Sequence, residues 1–124
     1  MLVDDSAIVR GFMRRWIDED ARVELVKACS DGAQAVKDAA SVHPDVIVLD
    51  IEMPNMDGLT ALPQLRKAAP DARIIMASTL TAAGAAQTVK ALALGASDFI
   101  AKPQASAMGS VDSYRNDLLD KIVA

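Results

Sequence analysis

The chain has 124 residues, 52% of them apolar and only 3% aromatic, with a formal net charge of −4. That is chain enough for one domain with an aliphatic core, and the acidic balance excludes a nucleic-acid or anionic-membrane surface. A single cysteine, Cys29, and a single histidine, His43, leave no internal disulfide and no Cys/His metal site, and no apolar run approaches the roughly 18 residues of a membrane span.

Apolar runs of β character alternate with helical patterns along the chain. Leu2-Val3 is a short first strand that runs straight into Asp4-Asp5. Its brevity predicts further residues ahead of Met1 in the natural chain. Met1-Leu2-Val3 followed by two aspartates is not the pattern of a secretory leader, and the protein is expected in the cytoplasm. Ser6 is placed to cap a helix with Ile8, Phe12, Met13, Trp16 and Ile17 on one face. Val23 to Cys29 reads as the second strand. Asp31 is the N-cap of a helix marked by Ala33, Val36, Ala39 and Ala40. Val46–Leu49 is the third strand, and it ends on Asp50, with Met-Pro and Asp-Gly close behind.

Asp57-Gly58 reads as a turn handing the chain to a helix whose apolar face is Leu59, Leu62 and Leu65. Pro63 is harmless only in a first turn, which moves the predicted start to Thr60 as N-cap. Ile74–Ala77 is the fourth strand and runs into Ser78-Thr79. Thr81 opens an Ala-rich helix with Val89 and Leu92 inward, stopped by Gly95. Phe99–Ala101 is the fifth strand, followed by Lys102-Pro103. Asp112 to Val123 is a last amphipathic helix with Tyr114, Leu118, Leu119 and Ile122 on one face.

This (βα)₅ pattern predicts a parallel sheet covered on both faces, with its functional face at the carboxyl ends of the strands. Those ends carry Asp4-Asp5, Asp50, Ser78-Thr79 and Lys102-Pro103. Each close pair of carboxylates costs roughly 4 kcal/mol at ~4 Å and an effective dielectric of about 20, so three of them need a cation. All-oxygen ligands with room for water and phosphate suit Mg²⁺. A hydroxyl and an ammonium facing such a site suit a tetrahedral anion, and the chemistry they fit is phosphoryl transfer onto an aspartate.

Asp4-Asp5, Asp50, the Met-Pro-x-Met-Asp-Gly run after it, Ser78 and Lys102-Pro103 together resemble the signature of two-component receiver domains, over essentially the whole chain. The resemblance implies a flavodoxin-like, doubly wound five-stranded sheet of order 2-1-3-4-5. It implies Asp50 as phosphoacceptor and Asp5 and Asp50 as direct Mg²⁺ ligands. Asp4 would stand close by or act through water, and the backbone carbonyl of Glu52 would complete the set. Ser78 would bond the phosphoryl group, Lys102 would pair with it, the Lys102–Pro103 bond would be cis, and Phe99 stands where receivers place an aromatic switch. The donor would be a partner histidine kinase of chemotaxis type; His43, before Pro44, reads as an exposed loop residue.

Residues 78–103 narrow the likeness. The Ser-Thr-Leu-Thr opening, Gly84-Ala85, Thr88, Ala91-Leu92, Leu94-Gly95-Ala96 and Asp98-Phe99 are similar to the receiver of the chemotaxis-specific protein-glutamate methylesterase, as is Asp-Ile-Glu-Met-Pro at 50–54. By that likeness residues 1–124 form a single regulatory domain. About 104–124 would lead toward a linker and an esterase domain absent here, so no esterase nucleophile is assigned in this chain. In the enzyme resembled, the unphosphorylated receiver obstructs the catalytic domain, and phosphorylation relieves this.

Plainer readings exist for each part alone. Asp4-Asp5 could open a helix, Asp50 or Ser78 could cap a loop, Lys102 could be solvated surface, and Phe99, Met53, Met56 and Cys29 could be packing. Three rival functions also fit one or more parts. A small aspartyl-nucleophile phosphatase commonly needs a second Asp and then a Thr or Val after its nucleophile, where Glu52 and Pro54 stand here. The others are a stand-alone chemotaxis-type receiver that signals by protein–protein binding and a never-phosphorylated binding module.

Overall fold

In the computed structural model, which describes residues 1–78, 82–102 and 110–124 without the side chains of Ala82, Ser110 and Val111, strands and helices alternate strictly. In chain order they are β1 (Leu2–Val3), α1 (Ala7–Asp18), β2 (Ala28–Cys29), α2 (Gly32–Val42), β3 (Val46–Asp50), α3 (Gly58–Ala68), β4 (Arg73–Ser78), α4 (Ala82–Ala93), β5 (Asp98–Ala101) and α5 (Ser110–Val123). The strands form one parallel sheet of order β2-β1-β3-β4-β5, the predicted flavodoxin-like architecture.

Alternation along the strands divides the core between two layers. Val3, Ile47, Leu49, Ile74 and Met76 pack with Ala35, Ala39, Ala61, Leu62, Leu65 and Ala91, so α2, α3 and the inner edge of α4 lie on that side. Leu2, Val48, Ile75, Ala77 and Ile100 pack with Met13, Trp16, Tyr114 and Leu118 of α1 and α5 on the other. Neighbouring β3 residues thus enter opposite cores, which is why Val46–Leu49 reads as an unbroken apolar run.

Caps set several helix starts. Ser6 Oγ accepts from the Val9 amide at 3.3 Å and Asp31 Oδ1 from the Gln34 amide at 2.8 Å, both as predicted. The start of α3 differs from expectation: Asp57 is its N-cap and accepts from the Thr60 amide at 2.8 Å. Thr60 is therefore already inside the helix and Pro63 lies beyond the first turn. The ring sits on the exposed side, where it removes one amide without entering the core. Glycine is required at the first helical position, because a Cβ on Gly58 would collide with the backbone carbonyl of Asp50. Gly95, at φ +107°, takes the chain out of α4 as expected.

Four other expectations change. β2 contracts to Ala28–Cys29, because β1 offers only two residues to pair with and its first amide, on Leu2, already reaches the Lys27 carbonyl. On α1 the buried face is Met13, Trp16 and Ile17, while Ile8 and Phe12 are exposed; Phe12 stacks on the outside of Trp16 at 6.0 Å. On α2 the fully buried positions are Gly32, Ala35 and Ala39, with Ala33 and Ala40 outward. On α4, Val89 and Leu92 point outward, and Gly84, Thr88 and Ala91 face β4, since close approach of helix to sheet admits only small side chains. Thr81 and the Lys102–Pro103 bond lie outside the described residues. On α5, Tyr114 and Leu118 are buried, Leu119 and Ile122 half-buried.

Candidate functional site

The register of the sheet builds the site. Val3 pairs with Leu49, which places Asp4 level with Asp50. Asp50 pairs with Ala77, one residue before Ser78, and Ser78 pairs with Ala101, one residue before Lys102. Four strands therefore deliver Asp4, Asp50, Ser78 and Lys102 to the same carboxyl edge. The ladder continues past the strand ends and holds the backbone there: the Asp4 amide donates to the Cys29 carbonyl at 3.1 Å, the Ile51 amide to Ala77 at 3.0 Å and the Lys102 amide to Ser78 at 2.7 Å.

Lys102 bridges the two buried acids, with Nζ 2.8 Å from Asp50 Oδ1 and 3.2 Å from Asp4 Oδ2. Asp50 Oδ1 also accepts from the Glu52 amide at 3.2 Å, and Asp4 Oδ1 from the Ser6 amide at 2.9 Å. Arg10, which sequence reasoning did not single out, donates from Nη1 to the Asp4 carbonyl at 2.6 Å. Asp5, just past the end of β1, is exposed, as is Glu52.

The charges do not balance. Burial is the largest influence on Asp50 and, with the neighbouring Asp4 charge, outweighs the Lys102 contact, so its carboxyl is raised to about 6. For Lys102 burial is again the largest influence and opposes the charge. The hydrogen bond to Asp50 and the charges of both acids overcome it, and the ammonium is held above its ordinary range. One ammonium gains from two carboxylates, but each carboxylate shares one ammonium.

That imbalance is where a cation fits. Asp4, Asp5 and Asp50 each offer a carboxylate oxygen, all within 4.8 Å of one another. Oδ2 of Asp50 and Oδ2 of Asp4 are buried with no hydrogen bond among the described residues, the latter with the Lys102 ammonium 3.2 Å away. Buried carboxylate oxygens without donors are costly, and a hard divalent ion taking all-oxygen ligands would satisfy them.

Ser78 is buried and faces away from a simple loop-capping role. Its Oγ lies 2.9 Å from Thr88 Oγ1, and Thr88 Oγ1 donates to the Gly84 carbonyl at 2.9 Å. A threonine hydroxyl has one proton, so Ser78 is the donor to Thr88. The sequence marks Thr88 only as part of a matched helix; the further signal it offers is that Thr88 is the one hydroxyl residue between Ala82 and Ala93. Phe99 is not plain core: it is 42% exposed, the Lys121 ammonium stands 5.3 Å from its ring centroid, and Lys121 donates to its carbonyl at 2.6 Å. Tyr114 is edge-on to Trp16 at 5.8 Å, and its hydroxyl is buried without a hydrogen-bond partner among the described residues; burial, then the Asp4 and Asp50 charges, push that phenol well up. Met53, Met56 and Cys29 are packing residues. A groove of about 600 Å³ opens at the opposite ends of the strands, between Met1, Leu25, Pro44 and Ile122, away from these groups.

The response regulator receiver domain family matches residues 1–109. The chain is 48% identical over 124 residues to a protein-glutamate methylesterase/protein-glutamine glutaminase of Maricaulis maris, covering 100% of this chain and 31% of that protein. It is 52% identical over 122 residues to a second such protein of Caulobacter vibrioides, covering 98% and 35%. The chain thus spans about a third of the length of these relatives. Among solved structures, the response regulator domain of Thermotoga maritima CheB superposes with a TM-score of 0.86 at 43% identity, over 98% of this chain and 90% of that one. A chain of the CheX–CheY–BeF3–Mg²⁺ complex from Borrelia burgdorferi gives a TM-score of 0.79 at 28% identity, over 98% and 83%.

Proposed function

Since the chain belongs to the response regulator receiver domain family, with relatives among protein-glutamate methylesterases, we propose that Asp50 accepts a phosphoryl group from a chemotaxis-type histidine kinase with Mg²⁺ bound. The phosphorylated domain would then regulate a methylesterase domain of a longer cytoplasmic protein during chemotactic adaptation. The observation that carries this reading is the divided state of Asp50, with Oδ1 on Lys102 and Oδ2 buried without a hydrogen-bond partner among the described residues.

An Asp50 oxygen attacks phosphorus, an O–P bond forms, and the bond from phosphorus to the donor's imidazole nitrogen breaks, the nitrogen keeping that electron pair. Burial raises Asp50 only to about 6, so at neutral pH it is mostly the carboxylate that attack requires. Lys102 stands where it can offset charge gathering on the phosphoryl oxygens. Asp5 and Asp50, with Asp4 beside them and the Glu52 carbonyl, would hold Mg²⁺, which supplies further charge neutralisation. The added group brings negative charge and acceptor oxygens, which would draw Ser78 toward the acid cluster. Phe99 would follow as the aromatic switch, and the face of α4 and β5 would carry the signal outward.

The test is intact mass after incubation with Mg²⁺ and acetyl phosphate. One phosphoryl group on the wild type, absent in Asp50→Asn, is the expected result. No incorporation into wild type with Mg²⁺ present would overturn the reading, and continuous turnover of diverse phosphate esters would point to a phosphatase.

A further inference from the structure

We propose that Thr88 is a positioning residue that holds the Ser78 hydroxyl in its resting direction, so that the strength of the Ser78–Thr88 hydrogen bond sets how readily the domain takes up its phosphorylated form. The inference rests on the phosphoacceptor reading above.

Among the described residues Ser78 and Thr88 are buried polar side chains, together with Asp4 and Asp50. Thr88 sits on the inner face of α4, where its neighbours facing β4 are Gly84 and Ala91. Its single proton goes to the Gly84 carbonyl one turn back, so its oxygen is left as an acceptor aimed at Ser78. Ser78 in turn has one proton, and that proton is committed to Thr88. A phosphoryl oxygen on Asp50 needs a donor. For Ser78 to serve it, the bond to Thr88 must break, and Thr88 keeps its own bond to Gly84 throughout. Helix α4 thereby weights the choice between two directions of one hydroxyl.

A net hydrogen bond of ordinary strength corresponds to roughly a three- to tenfold change in such an equilibrium. Thr88→Val keeps the shape and deletes the acceptor. It is expected to tighten binding of beryllofluoride with Mg²⁺, measured by calorimetry, by about that factor, and to speed labelling by acetyl phosphate in proportion. Thr88→Ser restores the acceptor and is expected to return both values to near wild type. In a Ser78→Ala background, Thr88→Val is expected to change neither. If Thr88→Val does not fold, Thr88→Ala in the same two backgrounds gives the comparison, alanine being well suited to a helix.

Unchanged or weaker beryllofluoride binding in a folded Thr88→Val protein overturns the proposal. So does an effect that persists without Ser78. Wild-type protein that takes no label at all is a failure of the phosphoacceptor reading, and is told apart because every variant, including Asp50→Asn, would then behave alike.

Discussion

Lys102 Nζ lies 2.8 Å from Oδ1 of Asp50, while Oδ2 of the same carboxylate is buried with no hydrogen bond among the described residues. One oxygen is anchored and the other is held ready for a ligand or an electrophile. The anchoring ammonium is shared with Asp4, so removing it leaves two buried acids facing each other.

Lys102→Met should therefore destabilise the domain by about 3 kcal/mol in chelator, the scale for stranding a buried charge. Added Mg²⁺ should recover part of that loss. Urea unfolding with and without the ion measures both; equal stability of wild type and variant in chelator would show that Lys102 does not hold the acids together.

Asp50 gives the domain a pH dependence of definite sign. Its folded value, about 6, stands above the ordinary 3.8, so the folded chain keeps this proton to higher pH than the unfolded chain does. The stability linked to that proton is complete below about pH 4 and is lost as pH rises through about 6, on the order of 3 kcal/mol in all. In chelator, the difference between wild type and Asp50→Asn should open in that direction across pH 4 to 7. A difference that closes as pH rises would contradict the assignment.

Asp5 is exposed while Asp4 and Asp50 are buried. Asp5→Asn should leave stability in chelator within about 0.5 kcal/mol, as expected of a surface change, yet weaken Mg²⁺ binding about tenfold or more by titration calorimetry, the loss of one charged ligand. Unaltered Mg²⁺ affinity would remove Asp5 from the ligand set.

Gly58→Ala places a methyl group against the Asp50 carbonyl and near Ile51 Cα, where backbone has to move. A loss of about 1–3 kcal/mol is expected, together with slower labelling of Asp50 by acetyl phosphate. Normal labelling in a destabilised variant would mean that β3 absorbs the shift elsewhere.

The sequence made the site legible because its residues sit at strand ends, where an apolar run stops on a charge at Asp50 and Lys102 and the parallel register does the rest. The helices were harder. Periodicity located α1 and α4 but not their buried faces: Phe12, Val89 and Leu92 are apolar yet outward, since the space beneath α4 admits only Gly84, Thr88 and Ala91. Pro63 suggested a later start for α3 because the sequence does not reveal that its ring faces solvent, nor that Asp57 had already capped the helix. β2 is shorter than its composition predicts for a different reason. Val23 to Lys27 have strand-like composition, but a parallel strand exists only where a neighbour runs beside it.

The opposed directions of Leu2 and Val3, one into each core layer, bear on how the reactive edge arises. A slip of β1 by one residue would send both side chains to the wrong layer and would present Asp5 to Lys102 in place of Asp4. Hydrophobic sorting of β1 and the placement of Asp4 are thus fixed by the same register. Burying Leu2 and Val3 in their proper layers thereby brings Asp4 level with Asp50, while Ser78 and Lys102 depend on the register of β4 and β5.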